Sequence, residues 1–297
     1  MIKHICVVGL AILLITGAGA AAGQNIGQAK ITVHPVAGNI YMLEGRGGNI
    51  GVSAGPDGLL MVDTQYEPVA DKIKAALGGL ASGQLKFILN THYHGDHTGG
   101  NAVFGQEAPV ISHRNVRRRL ATEQNIMGHK VPPKSEEAWP AITFESSMSI
   151  FFNDEEIQII HLPHGHTDGD AVIFFAKSKV VHMGDLLFAG MFPFVDLDAG
   201  GDVEGFIKNI ETVIARLPAD AKVIPGHGPL STVEDLKNNH HMLIETTGII
   251  RAGLEAGLDL EQVQAKGLPE EWKSWSWNFI PEKTWIEIVY KSLSASD

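Results

Sequence analysis

Cysteine is almost absent from this sequence of 297 residues, which contains a single one, Cys6. Cys6 lies in an N-terminal segment that we expect to be removed from the mature protein. The mature chain would then contain no disulfide, no thiol nucleophile and no thiolate metal ligand. Any catalytic metal ion would have to be bound by histidine and carboxylate side chains.

Positive charge is also scarce, because 23 lysine and arginine residues face 34 aspartate and glutamate residues, for a formal net charge of -11. This balance disfavours nucleic acid or an anionic membrane surface as partner, since both favour a basic patch. The basic cluster that does occur is expected to be a solvated helix face: Arg114, Arg117, Arg118 and Arg119. The hydrophobic fraction of 44% and the charged fraction of 19% are those of an ordinary globular protein.

A long apolar run lies near the N-terminus, at residues 5–15, after Lys3 and before the small residues 17–22. These features are typical of a signal peptide with its cleavage site. An uncleaved membrane anchor is the alternative, but the run is short for a bilayer span. We therefore predict a signal peptide over residues 1–22 and one mature domain over residues 23–297. The protein would be periplasmic or secreted, without a stable membrane anchor.

Hydrophobic periodicity and turn residues predict a chain in which strands and helices follow one another. Strands are expected within residues 31–63 and at 87–89, 110–112, 150, 157–160, 171–175, 180–181 and 223–224. Helices are expected at 68–80, 115–124, 202–217, 231–256 and around 285–289, and residues 123–144 read as a long loop. Ser231 is the expected N-cap of the longest helix, with Glu234 completing a capping box. One α/β domain of two sheets between helices fits this order best.

The residues most informative about chemistry follow the strand at 87–89. His92 and His94 are two apart, so an extended backbone points both side chains to the same side. Asp96 and His97 come after Gly95, which we expect to permit a sharp turn. Imidazole and carboxylate are the ligands that Zn²⁺ takes when thiolate is absent, so the cluster predicts a metal site.

Three further candidate ligands each lie where a short strand meets a loop, with a glycine beside them: His166, Asp185 and His227. Loops at one edge of a sheet would gather all three at one site. Histidines without such a motif, including His113, are expected at the surface or on helices.

The motif His-x-His-x-Asp-His, followed by Gly99 and Gly100, resembles that of the metallo-β-lactamase superfamily. The resemblance covers residues 31–228 and implies an αββα sandwich with the metals at one edge between the sheets. It implies that one zinc is bound by His92, His94 and His166, and a second by Asp96, His97 and His227. It also implies that Asp185 bridges the two ions and that Asp63 steadies the metal-binding loop. A site built from histidine and aspartate also accepts iron or manganese, and export favours zinc.

Two zinc ions that share a bridging aspartate would make hydroxide available near neutral pH for attack on a small-molecule carbonyl substrate. Asp96 would be the catalytic residue that orients the hydroxide and carries its proton. The substrate-binding candidates are Arg46, which could reach a carboxylate, and Phe188 and Phe192, which could line an apolar pocket.

The resemblance leaves the substrate open between a β-lactam, a lactone and another ester, thioester or amide. Aspartate at position 185 resembles the thioesterases of the glyoxalase II type and the lactonases, although the lactonases usually have tyrosine where Phe188 stands. Glutathione thioesters belong mainly to the cytosol, which suits an exported chain poorly. Where some lactamases have a lysine soon after this position, none follows here until Lys208, so β-lactam hydrolysis would be weak. A second hypothesis is a non-hydrolytic metal-binding accessory protein of a periplasmic oxidation pathway.

Overall fold

Two β-sheets face one another in the protein, whose computed structural model describes residues 26–295. The predicted signal peptide and Cys6 lie outside the described residues. In chain order the strands are β1 (Thr32–Ala37), β2 (Ile40–Glu44), β3 (Ile50–Gly55), β4 (Gly58–Val62), β5 (Leu85–Leu89), β6 (Val110–His113), β7 (Gln124–Ile126), β8 (His129–Val131), β9 (Ile142–Phe144), β10 (Ser147–Phe152), β11 (Glu155–His161), β12 (Ala171–Phe175), β13 (Val180–His182), β14 (Lys222–Ile224) and β15 (Ser231–Thr232). The first sheet has the order β1-β2-β3-β4-β5-β6-β9 and the second the order β10-β11-β12-β13-β14-β15, while β7 and β8 form a separate hairpin.

Helices cover the outer face of each sheet. They are α1 (Ala70–Gly78), α2 (Gly95–Thr98), α3 (Asn101–Phe104), α4 (Arg114–Leu120), α5 (Val203–Ile214), α6 (Val233–Glu255), α7 (Leu260–Lys266), α8 (Glu270–Lys273) and α9 (Glu282–Ser294). Between residues 26 and 295, no helix is both long and apolar enough to cross a membrane.

The alternation of side chains in β4 shows how the layers are held together. Leu60 and Val62 point between the two sheets, while Leu59 and Met61 point outward against α1. Successive strand residues face opposite sides, so a strand buried on both faces has a continuous apolar run. Helices α5, α6 and α9 pack in the same way on the outer face of the second sheet. The result is the four-layer arrangement of helix, sheet, sheet and helix that the sequence predicts.

Parallel pairing brings the candidate site to one edge of this sandwich. Strands β4, β5 and β6 run parallel to one another in the first sheet, as β13 and β14 do in the second. Parallel neighbours end at the same edge of a sheet, so the loops that follow them meet there.

Two details of the predicted secondary structure are wrong. The region predicted as a long loop contains the β7–β8 hairpin and strand β9, whose three-residue strands are too short to show a clear alternation. The capping box of α6 uses Thr232 and Asp235 rather than Ser231 and Glu234. Ser231 instead pairs in β15, and its hydroxyl donates to the carbonyl of Pro229 at 2.9 Å.

The basic cluster on α4 is only partly a solvated helix face. Arg114 and Arg118 are exposed and pair with Glu145 and Asp168. Arg119 is largely buried and donates from Nε and Nη2 to the Asp168 carboxylate at 2.7 and 2.8 Å. Its guanidinium also lies 5.6 Å from the centre of the Tyr93 ring, so it packs beside the metal-binding loop.

His113, expected at the surface or on a helix, is buried at the end of β6, directly before α4. Its ring stacks on that of His161, the last residue of β11, with 3.6 Å between ring centres. Its Nδ1 accepts a hydrogen bond from the backbone N–H of Asn115 and so caps α4. Burial and the nearby His161 ring lower the pKa of His113 to about 4, from an ordinary value of 6.5.

These contacts predict that the free energy of unfolding falls as the pH drops from 6.5 towards 4. In that window the unfolded chain binds a proton at His113 that the folded chain does not, which favours unfolding. In His113→Asn the amide oxygen can still cap α4 but does not titrate, so urea denaturation at a series of pH values should show a shallower slope. His129→Asn, at an exposed residue of β8, is the control, and equal slopes in the wild type and His113→Asn would contradict the assignment.

Candidate metal centre

The predicted metal-binding loop starts at the end of β5. The backbone remains extended at His94 and becomes helical at Gly95, where α2 begins. This short helix carries Asp96 and His97, so one turn brings them beside the two histidines before it. Gly95 does not take a positive φ, and a Cβ there would meet nothing within 4 Å. The expected need for glycine at a sharp turn is therefore wrong, and Gly95 instead lines the cavity over the site.

The three downstream candidates come from loops of the second sheet. His166 lies between β11 and β12, Asp185 lies in the turn after β13, and His227 follows β14. The structure thus places the seven residues of the sequence prediction at one edge of the sandwich.

Their donor atoms form two groups, within each of which all ligand atoms lie within 4.8 Å of one another. The first group contains His92, His94, His166 and Asp185, and the second contains Asp96, His97 and His227.

Asp185 contacts both groups. Its Oδ2 lies 3.5 Å from His166 Nε2 and 3.7 Å from His92 Nε2 in the first group. In the second group, Oδ1 lies 3.0 Å from His97 Nε2 and Oδ2 lies 3.5 Å from His227 Nε2. A carboxylate in this position could contribute a ligand atom to either group.

The buried donor atoms fit a metal centre because the protein leaves some of them without a hydrogen bond. Nε2 of His92 is buried without a hydrogen bond among the described residues, and Oδ1 of Asp185 has only the ion-pair contact with His97 Nε2 at 3.0 Å. Ring nitrogens also face one another, with 2.8 Å between His94 Nδ1 and His166 Nε2. Buried polar atoms without partners are unfavourable, and cations between these nitrogens and carboxylates would satisfy them.

The other ring nitrogens of the histidines are held by acceptors outside the two groups. His97 Nδ1 lies 2.8 Å from Asp63 Oδ2, and His166 Nδ1 lies 2.7 Å from the carbonyl oxygen of Phe194. His92 Nδ1 lies 3.0 Å from the Thr91 hydroxyl. Each contact orients a ring and leaves its second nitrogen for the metal.

Asp63 connects these contacts, as predicted for a residue that steadies the loop. It is fully buried, and it accepts hydrogen bonds from the backbone N–H and the hydroxyl of Thr91 at 2.8 and 2.7 Å. The Thr91 hydroxyl therefore donates to Asp63 and accepts from His92. Asp63 thus orients His92 through Thr91 in one group and His97 directly in the other.

Asp196 has the corresponding position beside His94, and sequence reasoning missed it. Its Oδ2 lies 2.9 Å from His94 Nε2 and also accepts the hydroxyl of Tyr93. No motif surrounds Asp196 in the sequence. Tyr93 lies inside the metal motif, and its hydroxyl was the one local signal of a buried acceptor.

Protons and metal ions compete for the donor atoms of the second group and of Asp185. Burial opposes protonation of His227, but the carboxylates of Asp185 and Asp96 outweigh it and raise its pKa to about 9. Burial also opposes ionisation of Asp185, yet the His97 and His227 charges hold its pKa well below the ordinary range. Metal binding must therefore displace protons, and affinity should decrease as the pH falls.

A cavity of about 320 Å³ opens over both groups. Arg46 and Phe188 line it, as predicted, but Phe192 does not. Phe192 is fully buried and stacks on Trp285, with 5.9 Å between ring centres, so its proposed role in substrate binding is wrong. Further lining residues were not predicted as such: Tyr66, Ile126, Trp277 and Phe279.

Comparison with known proteins identifies the family. Residues 35–230 match the metallo-beta-lactamase superfamily, and the chain belongs to it. The predicted family and the αββα fold are thereby confirmed.

Several curated relatives are similar over part of the chain. A hydroxyacylglutathione hydrolase of Pelagibacter ubique is 28% identical over 48% of this chain and 52% of its own length. The hydroxyacylglutathione hydrolase GloC of Haemophilus influenzae is 28% identical over 54% of this chain and 76% of its own. The chain thus spans about half the length of the Pelagibacter relative.

Solved structures share the fold at low sequence identity. A metallo-beta-lactamase from Pontibacter korlensis matches 72% of this chain and 99% of its own, with a TM-score of 0.59 and 20% identity. The sec-alkylsulfatase Pisa1 from a Pseudomonas species matches 91% of this chain and 51% of its own, with a TM-score of 0.68 and 14% identity.

The contacts of Asp196 predict a loss of metal affinity in Asp196→Asn. Both carboxylate oxygens are acceptors, Oδ2 for His94 and Tyr93 and Oδ1 for the backbone N–H of Ala199 at 3.1 Å. The amide has one acceptor oxygen and places an N–H₂ donor against one of these donors, so the contact that orients the His94 ring is weakened. We expect metal affinity to fall about 10- to 100-fold, measured by competition with a chelator. Asp198→Asn is the control, because Asp198 is exposed in the same turn and contacts Asn125 instead. Equal affinities in the two variants would show that Asp196 does not position the ligand.

Proposed function

We propose that the protein is an exported, dinuclear zinc hydrolase that attacks a carbonyl group of a small molecule. The observation that carries this proposal is the position of Asp185 within 3.0–3.7 Å of ring nitrogens in both donor groups. A donor set of histidine and carboxylate without thiolate suits zinc, and iron or manganese would be accepted by the same ligands.

Two cations held by these groups would supply a nucleophilic hydroxide near neutral pH and polarise the carbonyl oxygen. Asp96 is the residue of this chain placed to handle the proton. It lines the cavity, and its Oδ2 lies 3.2 Å from His227 Nε2. Burial opposes its ionisation, but the charges of His97 and His227 keep its pKa below the ordinary range, so it is present as a carboxylate. From there it can orient the attacking water and pass its proton towards the leaving group.

Arg46 supports a substrate with an anionic group near the carbonyl. It is exposed at the edge of the cavity, and no ion-pair partner is found for it among residues 26–295. Its guanidinium could bind a carboxylate through two parallel hydrogen bonds, as bidentate arginine contacts do.

The names of the curated relatives support carbonyl chemistry. Several are called hydroxyacylglutathione hydrolases, which places thioesters beside lactones, other esters and β-lactams among the candidate substrates. Asp185 favours an ester or lactone over a β-lactam. So does the absence of a lysine between Asp185 and Lys208, where some lactamases have one.

The metal and catalytic assignments are tested together by Asp96→Ala. We expect two metal ions per wild-type chain and one per variant chain by elemental analysis, because the first donor group lacks Asp96. Hydrolysis should fall at least about 100-fold through loss of the proton carrier, assayed on a penicillin, an acyl-homoserine lactone and a thioester.

Asp71→Ala, at an exposed residue of α1, is the control and should retain metal and activity. Retained turnover in Asp96→Ala would remove the proposed mechanism. Two bound metal ions with no turnover of any of these substrates would favour the non-hydrolytic accessory protein.

Export is proposed from the sequence of residues 1–22. Expressed in a Gram-negative host, the full chain should appear in the periplasmic fraction with its N-terminus near residue 23, as determined by intact mass. Changing Leu13 to Arg should interrupt the apolar run and keep the precursor in the cytoplasm. Full-length protein in the cytoplasm of the host that expresses the unchanged sequence would contradict this prediction.

A further inference from the structure

The C-terminal part of the chain supplies one side of the cavity. Trp277 and Phe279 line the cavity and lie between α8 and α9, beyond the residues 35–230 that match the superfamily. Together with Phe194 from the loop after β13, they form what we call the aromatic wall. The wall is therefore built largely from a segment outside the part of the chain that carries the metal ligands.

Hydrogen bonds hold this segment in place. The backbone N–H of Phe192 donates to the carbonyl of Trp275 at 2.9 Å, and the indole N–H of Trp277 donates to the carbonyl of Phe192 at 2.9 Å. The Phe192 ring is itself buried against Trp285. Because Phe192 follows Asp185 by seven residues, the segment is fixed to the same loop that carries the candidate bridging ligand.

The aromatic wall reaches both donor groups. The ring centre of Trp277 lies 6.3 Å from that of His227, and the ring centre of Phe194 lies 5.7 Å from that of His94. Phe279 joins the two ends, at 5.5 Å from Trp277 and 5.7 Å from Phe194. The wall therefore borders the space in which a carbonyl group between the two donor groups would lie.

Phe279 leaves apolar surface uncovered inside the cavity, where a bound molecule can cover it. Phe279 is 46% exposed, whereas Phe194 in the same wall is 7% exposed. A bound molecule that covers Phe279 would remove its remaining apolar surface from water. Edge-to-face and offset contacts between aromatic rings add to the hydrophobic gain when a planar group is bound. A cavity of about 320 Å³ has room for such a group beside the carbonyl.

We propose that the aromatic wall selects substrates with a planar apolar group, of phenyl size or larger, next to the carbonyl that is hydrolysed. The inference rests on the proposed function, because it assigns the substrate class of that metal site. Small aliphatic esters would be poor substrates, since they leave the wall in contact with water.

Two metal-binding ligands that differ in one group test the wall by affinity. Benzohydroxamate and acetohydroxamate present the same chelating group and differ in phenyl against methyl. On the metal-loaded protein we expect benzohydroxamate to bind at least about tenfold more tightly by calorimetry. Phe279→Ala should reduce this ratio towards one, and Phe151→Ala should leave it unchanged. Phe151 is the matched control because its ring is 79% exposed on β10, away from the cavity.

Equal affinities of the two hydroxamates in the wild type, failure of either to bind, or an unchanged ratio in Phe279→Ala would overturn the inference. Each can occur while elemental analysis still finds two metal ions, so the proposed function is judged separately. If the protein takes up no metal, the proposed function fails. The wall is then tested without metal, by the fluorescence enhancement of anilinonaphthalene sulfonate on binding. Enhancement lost in Phe279→Ala and kept in Phe151→Ala would support the wall, and equal enhancement in both would overturn it.

Discussion

The hydrogen bonds to the buried carboxylate of Asp63 are the interaction on which the candidate centre depends. Asp63 stands at the end of β4 with a positive φ of 67°, a conformation that few residues other than glycine adopt without strain. Three donors compensate for this: the backbone N–H and hydroxyl of Thr91 and the ring N–H of His97. Because Thr91 in turn accepts from His92, one carboxylate on a rigid strand sets the orientation of ligands in both groups.

The two sheets can approach each other around these ligands only because glycine stands at the closest contacts. A Cβ at Gly48, in the loop after β2, would overlap the ring of His97. A Cβ at Gly226, in the loop after β14, would overlap Oδ1 of Asp185. The backbone N–H of Asn49 donates to the carbonyl of Gly226 at 2.7 Å, so the two loops are also joined directly. Glycine in these loops is thus a condition for bringing the donor atoms of both sheets to one place.

The metal ligands could be predicted because each is recognisable locally, as a histidine or aspartate at the end of an apolar strand. The four layers could be predicted for a similar reason, since strand alternation and helical periodicity are properties of short segments. Asp196 could not be found in this way, because only the folded chain brings it within 2.9 Å of His94, 102 residues away. Phe188 and Phe192 look alike in the sequence and both are buried, but only Phe188 lines the cavity, while Phe192 stacks on Trp285.

The metal ligands and two residues of the aromatic wall, Trp277 and Phe279, come from different parts of the chain. The ligands come from loops at strand ends within the segment shared with the superfamily, where the sandwich fixes their positions. Other parts of the cavity lining come from the β7–β8 hairpin with Ile126, the loop with Arg46, and the C-terminal segment with Trp277. The loop with Arg46 is tied to the donor groups by its backbone, because the N–H of Gly48 donates to the carbonyl of Asp96 at 3.1 Å. The C-terminal segment instead contacts the site through the rings of Trp277 and Phe279. The backbone of Phe192 also ties the C-terminal segment to the loop of Asp185. A change in that segment would therefore affect substrate selection first, and would reach the metal centre through the backbone of Phe192 and the Trp277 ring beside His227.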